Sequence, residues 1–585
     1  MPTAQLKSLR AIAASRLRRQ DGLHPLTFST ATRTKTATSR IQVQIPPGTL
    51  PKNYDLIVVG YGIAGASAAI SAAEKGASVL VLDRGHGGGS SALSGGVFYA
   101  GGGTPYQKAA GYDETSENMF NYLKEEVDGV IDDTTLKRFC EGSPARVAWL
   151  EKHGATFGSS LCDYKTSFPT DRHYLYFSGN EKAHLFNLRA NPAPRGHRQL
   201  GKGMAGGVLW RSLRDSAQAL GVTFQPLSRV DHLIVDDDGR IGGVRYTTML
   251  ERGWRFRLHR LIADWGKTLF MLSPPTGRIV NGVADVIWRR SAETKVATSQ
   301  AGVVISSGGF AANLDMVREH LPQFVLTSPL GTEGDDGAGI CLGESVGGSV
   351  GCMDRVNVSR FIAPPSAFLQ GIAVSVDGRR ILNEDVYGST FTSRMIRNFD
   401  GRGFLIVDDE TWKRARAQVK SESQLFQLAQ SLYIFSIGHR KAKTLEELAT
   451  KLGISRNGLV KTVKAYNDAI TAGVDDPARK AKEQCKPIQR GPFYGVDLSL
   501  RKSLIYPIPA FTLGGLKVDG SSGLVLNKAG QEIQGLYAAG RSAVGICSNS
   551  YVSGLSLADG VFSGHRAGVH AASCLPQIPE TRAGG

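Results

Sequence analysis

The sequence predicts an α/β protein whose parallel sheet begins with a nucleotide-binding turn, and three observations carry that prediction. Residues 53–59 read NYDLIVV, a short apolar run of β type. The run leads into GYGIAGASAAISAAEKG, an alanine-rich helix former with Gly60, Gly62 and Gly65 in G-x-G-x-x-G spacing. A second apolar run, 77–82, ends in Asp83, 18 residues after Gly65.

Each part of this strand–helix–strand unit has a physical job. Gly60 permits the tight turn, Gly62 lets the backbone approach a pyrophosphate, and Gly65 lets helix and strand pack closely. The helix N-terminus offers unpaired N–H groups and the positive end of its dipole to phosphate. Asp83 is placed to accept hydrogen bonds from a ribose. The unit predicts dinucleotide binding, and a motif this close to the N-terminus favours FAD over NAD.

Two later segments strengthen the choice of FAD. Residues 86–103 (HGGGSSALSGGVFYAGGG) are too rich in glycine for a regular helix or strand, and suit a backbone lying against a flat ring and a diphosphate. Ser90, Ser91 and Ser94 are donor candidates there. Residues 535–540 (GLYAAG) read as a strand ending in glycine, followed by SNSYVSGLSLADG at 548–560 and a helix from about Leu555. The N-terminus of that helix suits the negative charge of a reduced flavin near N1 and C2=O.

Composition narrows the classes. The 585 residues allow more than one core, and 70 glycines is a high count for a globular chain. The net charge is +17, but residues 1–40 hold eight Lys or Arg against Asp21 alone and supply +7 of it. That segment is also rich in Ser, Thr and Ala and reads as a mitochondrial transit peptide, with a disordered basic tail as the alternative; otherwise the chain is expected in the cytoplasm. The remaining charge shows no clustered basic face, so no nucleic-acid partner is expected. Seven scattered cysteines without a C-x-x-C pair predict reduced thiols, and no metal-ligand spacing is found. No apolar run approaches 18 residues, so no transmembrane helix is predicted.

Residues 53–575 resemble the fumarate reductase and 3-ketosteroid dehydrogenase superfamily of FAD proteins. The resemblance rests on the βαβ start, GGSSALSGG (88–96), VVISSGGF (303–310), DGRRILNEDVYG (377–388), FTLGGL (511–516) and GLYAAG with its helix. It implies a Rossmann-like FAD-binding domain interrupted by an α+β substrate-capping domain. The boundaries expected are a basic arm at 1–50, FAD domain at 51–320 and 491–575, cap at 321–490, and a tail at 576–585. It also implies that Arg84, Gly95, Gly96, Val230, Gly308, Gly309, Gly540, Ser556 and Leu557 join the nucleotide motif in holding FAD. Residues 250–297 depart from the pattern: longer and more apolar than the small sheet expected there, they read as an insertion or a mispredicted gene segment, and no function is assigned to them.

Within the superfamily, dicarboxylate chemistry needs cationic clamps. Members that perform it carry a histidine just before T-x-G-G and an arginine shortly after the N-E of R-x-x-N-E. Here the first place offers Phe511, and the second reads NEDVYGS, with Tyr387 and no arginine. The succinate dehydrogenase histidine that attaches FAD covalently is missing from residues 88–96, so non-covalent FAD is expected.

Phenols and hydroxyls stand where those cations are missing, which suits an uncharged ketone. Desaturating a ketone takes a proton from the carbon beside the carbonyl and a hydride from the next carbon to flavin N5, with a neutral donor on the developing enolate. Y-V-S at 551–553 resembles the tyrosine-x-serine pair of the Δ4-(5α) ketosteroid dehydrogenases rather than the N-x-Y-P-G turn of the Δ1 enzymes. SGGVFYAGGGTPYQKAAGYDET and APRGHR (193–198) also look more like that branch. The resemblance assigns Tyr551 and Ser553 to proton abstraction and relay and Tyr387 to polarising the ketone. In the Δ1-like alternative Tyr387 is the base. A fumarate reductase-like flavoprotein and a non-catalytic flavin-binding redox protein are the other readings. The partners expected are a steroid or similar polycyclic ketone and an external electron acceptor.

Among other residues, Tyr99 is divided between lining the substrate pocket and simple packing. His197, flanked by Arg195 and Arg198, reads as part of a solvated loop. Asp335 and Asp336 read as a helix cap. Asp559 reads as a salt-bridging or capping residue outside the active site.

Overall fold

A computed structural model describes residues 52–576 apart from 250–252, 326, 502–505 and 507. The basic arm, its proposed mitochondrial address and most of the tail therefore lie outside the described residues. The central sheet has eight strands: β1 (Lys52–Val59), β2 (Val79–Leu82), β3 (Thr223–Gln225), β4 (Ser228–Val235), β5 (Ile241–Met249), β6 (Ala292–Ile305), β7 (Leu524–Leu526) and β8 (Glu532–Ala538). Its main path runs β7–β8–β6–β1–β2–β3, with β4 and β5 extending from β6 as an antiparallel flap. Pairings β8–β6, β6–β1, β1–β2 and β2–β3 are parallel. All four residues of β2, VLVL, are buried, as a strand covered on both faces requires. The strand starts at Val79 rather than Ala77 because the Ala77 amide donates to Ala72 O at 3.2 Å and closes the preceding helix.

That helix, α1 (Ile63–Ala73), is buried on nearly every side. Against it lies the last helix of the described chain, which shows what its small residues are for. A Cβ on Gly564 would overlap the Ala64 carbonyl oxygen, and one on Gly568 would overlap that of Ala68. Glycine every fourth residue thus lets two helix backbones touch. The result places the segment before Leu555 beside the nucleotide turn.

The glycine-rich stretch 86–103 is more regular than its composition predicts. It contains a short helix, Gly89–Leu93, and a strand, Val97–Tyr99. The strand exists because it pairs antiparallel with Gly196–Arg198, which in turn pairs with Leu175–Tyr176. Tertiary pairing supplies what local propensity withholds.

The same pairing overturns the solvated-loop expectation for residues 193–198. Arg195, His197 and Arg198 are all buried. The Arg195 guanidinium binds the Glu114 carboxylate, with Nε to Oε1 at 2.8 Å, and lies over the Tyr122 ring. His197 meets Thr104 Oγ1 at 2.8 Å through Nε2, and burial pushes its pKa down to about 4, so it is neutral. Arg195→Met leaves Glu114 buried without its partner, and its cost is expected to be about 3–5 kcal/mol by urea denaturation.

The unassigned insertion resolves into two helices, Gly253–Leu272 and Pro274–Arg289, forming a hairpin between β5 and β6. The small sheet expected there is intact, because Met249 and Ala292 remain paired across the hairpin's base. A second, antiparallel sheet orders Ile372–Val374, Phe404–Val407, Phe493–Asp497 and His439–Ala442 side by side, with helices between them in the chain. Its strand at 493–497 runs past the boundary expected at 490. Among the described residues no helix is long and apolar enough to cross a membrane.

Candidate active site

The nucleotide end is built on the β1–α1 turn. Gly65 lies where a Cβ would overlap the Gly60 carbonyl oxygen and come 2.7 Å from Ser306 Oγ. α1 begins at Gly62, which has no side chain to cap it, and its first amide, that of Ile63, donates to Ser91 Oγ. Asp83 accepts from the Tyr61 amide and the Gly85 amide, both at 2.7 Å, which fixes its carboxylate at the end of β2 with lone pairs to spare. Arg84 sits at the exposed rim, paired with Asp336 at 2.6 Å. Val230 lies on β4 beside a bulge at Asp231, where the ladder leaves main-chain groups unpaired. The His86 Nε2 atom is buried and has no partner.

The three serines expected to donate to phosphate or flavin behave differently. Ser91 Oγ accepts from the Ile63 amide at 3.1 Å and keeps its proton available. Ser90 spends its proton on Asp335 Oδ2 at 2.6 Å, and Ser94 spends its own on Ser91 O at 2.8 Å. Those two are tied within the protein, Ser90 to Asp335 and Ser94 to the Ser91 carbonyl. Gly95 and Gly96 are small for packing, against the Phe168 ring and the Ala205–Gly206 peptide.

Asp335 is not a helix cap. It takes Arg541 Nη2 on both oxygens, at 2.8 and 2.9 Å, and also accepts from the Gly309 amide. Asp336 does cap, accepting from the Ala338 amide at 3.0 Å. Gly308 and Gly309 leave room for Asp335 and for Thr512 Oγ1, and Gly308 exchanges hydrogen bonds with the Ser542 hydroxyl. Arg541, next to Gly540, retains a buried Nη1 with no partner and lies over the Phe511 ring.

The last helix, α4, spans Leu555–Ser573, with α2 and α3 denoting the hairpin helices 253–272 and 274–289. α4 begins at Gly554 with no side-chain cap; its first turn includes Ser556 and Leu557, and its Leu555 amide donates to the Val552 carbonyl at 3.1 Å. The His86 Nε2 and Arg541 Nη1 atoms, which have no partner among the described residues, the starts of α1 and α4 and the fixed Asp83 carboxylate together fit FAD. Asp559, in the second turn of α4, forms no ion pair among the described residues. It is buried, its carboxyl is pushed up by burial, and its side-chain partner is the Cys547 thiol at 3.4 Å.

Tyr551, Ser553 and Tyr387 converge in front of α4. The turn that carries the first two is anchored by Glu126, which takes Ser550 Oγ, Tyr122 Oη and Asn180 Nδ2 on its carboxylate. Asn549 Nδ2 donates to the Glu126 main-chain oxygen at 2.9 Å. Asn180 then holds Tyr387, accepting its amide proton at 2.6 Å just before helix Gly388–Phe399. Tyr551 packs edge-on against Phe511, with ring centroids 4.9 Å apart, and faces Tyr387 at 6.3 Å.

The Tyr551–Ser553 relay is not closed by a direct hydrogen bond. Tyr551 Oη accepts from the Gly554 amide at 3.4 Å, whereas Ser553 Oγ accepts from Tyr176 Oη at 2.8 Å and lies beside the Tyr387 hydroxyl. Burial pushes the Tyr551 phenol up to about 12, with the Gly554 amide opposing it. Tyr387 is pushed well above its ordinary value, by burial first and by the neighbouring Tyr551 and Tyr176 next. A small cavity beside Tyr387 has a mixed lining, in which Phe361, Ile362 and Phe391 stand with Lys165, Ser167 and Glu384. Tyr99 is buried and stacked on Tyr122, and its hydroxyl has no partner.

Sequence reasoning missed Tyr176, Asn180, Glu126 and Arg541. Only Arg541 had a local signal, its place directly after GLYAAG. The others come from distant segments with no spacing rule. Among the described residues no group of three His, Cys, Asp or Glu is placed to hold a metal.

A protein-family profile described as FAD binding domain matches residues 55–554. A 3-oxo-5-alpha-steroid 4-dehydrogenase from Comamonas testosteroni is 35% identical over 495 residues, covering 83% of this chain and 92% of that protein. A solved 3-ketosteroid Δ4-(5α)-dehydrogenase from Rhodococcus jostii RHA1, in complex with 4-androstene-3,17-dione, superposes with a TM-score of 0.74. It is 32% identical in sequence, and the match covers 90% of this chain and 98% of that one. A 3-ketosteroid Δ1-dehydrogenase from Sterolibacterium denitrificans shares the fold at a TM-score of 0.59 and 19% identity, over 89% of this chain and 100% of that one.

Proposed function

The chain belongs to the FAD binding domain family, and from that premise we propose that it is an FAD-dependent 3-ketosteroid dehydrogenase of the Δ4-(5α) type. The observation that carries the reading is the convergence of Tyr551, Ser553 and Tyr387 before the uncapped start of α4. Phe511 and Tyr387 stand where dicarboxylate reducers place His and Arg. A fused-ring ketone suits this site, because its one polar atom needs a neutral donor and its rings suit the aromatic faces of Phe361 and Phe511 that flank the two tyrosines.

Bound FAD supplies the two-electron acceptor for the hydride that leaves the carbon next to the deprotonated one. The chain's own groups handle the proton and the ketone. Tyr387, anchored through its amide by Asn180, donates to the ketone oxygen and stabilises the developing enolate. Tyr551, its ring 6.3 Å from that of Tyr387, takes the C4 proton. Ser553, held by Tyr176, stands at the substrate's edge as the relay between carbon and base. The antiparallel sheet around Phe404–Val407 and its helices serve as the substrate cap, since they carry Tyr387 while the central sheet carries Tyr551. An external acceptor closes the cycle.

The test is anaerobic titration of the holoenzyme while the long-wavelength flavin absorption is followed. A 5α-reduced 3-ketosteroid is expected to bleach the flavin and yield the Δ4-3-ketone. Bleaching by the Δ4 compound with a Δ1,4 product would transfer the enzyme to the other branch. Bleaching by neither would reject the steroid reading.

A further inference from the structure

The hairpin of α2 and α3 is apolar on two opposite faces, and the fold uses only one. On α2 the buried positions include His259, Gly266 and Phe270, which face α3 and the nucleotide loop. Trp254, Leu258, Leu261 and Trp265 form a second stripe, at helical spacings of four, seven and eleven residues, rotated away from the first. All four are exposed, Trp254 at 68% and Trp265 at 65%. The next helix repeats the arrangement. Gly277, Ala284 and Trp288 are buried, while Ile279, Val283 and Val286 form an outer stripe, with Ile279 exposed at 71%. An apolar stripe sustained over both helices of one hairpin is not the scatter of single exposed residues found on ordinary surfaces.

The charges around the stripe name its partner. α2 carries Arg255, Arg257, Arg260 and Lys267 against Asp264 alone. Among the described residues Arg255, Arg257 and Arg260 have no ion pair, and Arg255 lies over the Trp254 ring. Tryptophans at both ends of an apolar stripe, bordered by unpaired arginines, match the chemistry of an anionic lipid surface. The rings settle at headgroup depth, the aliphatic side chains reach the acyl boundary, and the guanidinium groups meet phosphate and carboxylate. A contrasting helix, Leu425–Ser436, also exposes Leu425, Phe426 and Leu432, yet holds no charge at all, so nothing identifies a partner for it.

We propose that the 253–289 hairpin docks the protein on anionic bilayers, lying in the interface rather than crossing it. The proposal goes beyond the reaction assigned above and does not depend on it. It predicts that the FAD-loaded full chain sediments with phosphatidylcholine vesicles containing phosphatidylserine, and not with phosphatidylcholine alone. Binding weakens as salt is added, and tryptophan emission shifts to the blue on binding.

Trp254→Ser with Trp265→Ser is expected to lower vesicle affinity by about tenfold or more. The flavin spectrum and melting temperature should stay unchanged, since both side chains are exposed. Arg255→Gln with Arg257→Gln and Arg260→Gln should remove the preference for phosphatidylserine. Three results would overturn the proposal. These are failure of anionic vesicles to capture the native holoenzyme; binding of the tryptophan variant as tight as that of the native chain, which would assign binding to other basic residues; and dissociation of a native dimer in that variant, which would make the face a contact between two copies.

Discussion

Tyr551→Phe is expected to retain FAD and to lose turnover by about 10²–10⁴-fold, the range a positioned acid or base supplies. The ring is held by Phe511 and Tyr387, and the turn beneath it by the Glu126 network, none of which the substitution disturbs. The phenol oxygen's own contact is the Gly554 amide at 3.4 Å, so its removal costs little stability. The pH dependence follows from the direction of the shift. With the pKa raised to about 12, the ionised fraction grows with pH throughout the neutral and alkaline range. If the phenolate is the base, kcat/KM should rise about tenfold per pH unit while chemistry limits the rate. Tyr551→Phe should flatten that slope, and Tyr387→Phe should lower the rate while keeping it. A slope lost in the Tyr387 variant instead would exchange the two roles, and full activity in the Tyr551 variant would remove the role altogether.

Gly65→Ala should produce apoprotein with a lowered melting temperature, even though alanine is the better helix former by about 1 kcal/mol. The added methyl overlaps the Gly60 carbonyl oxygen and crowds Ser306 Oγ at 2.7 Å, so α1 must move off the turn. Overpacking of this kind costs about 1–3 kcal/mol, and the displaced turn no longer presents α1 to a diphosphate. Gly62→Ala makes the useful comparison. Its methyl meets only Ser91 Oγ, at 3.3 Å, so the fold should stand while FAD affinity falls because the group points where the pyrophosphate must approach. Flavin absorbance after purification and a thermal melt separate the two variants. Equal melting temperatures would show that close packing at Gly65 is not what the glycine provides.

The strand–turn–helix–strand start, the α4 helix from Leu555 and the placing of Tyr551 in a turn of small residues were all legible along the chain. In each case a local pattern carried the information: apolar runs of one period, glycine at fixed spacing, and a phenol in a turn otherwise made of small residues. The serines of the glycine-rich stretch were not legible in this way. Whether Ser90 donates to a ligand depends on Asp335, 245 residues further on, which takes its proton. His197 looked solvated because two arginines flank it, yet Glu114 neutralises Arg195 from another segment and the whole strand is buried.

By itself the sequence determined the fold class, the dinucleotide turn and the chemical character of the site, because these follow from backbone geometry and residue type over short spans. Only the tertiary structure decided which hydroxyl meets which. Ser553 is held by Tyr176 rather than by Tyr551, and Asn180 and Glu126 set the distance between the two tyrosines. It also turned the unassigned insertion into a hairpin with a second apolar face. Hydrogen-bond partnership and exposure depend on what the rest of the chain brings within a few ångströms, and no local pattern encodes that.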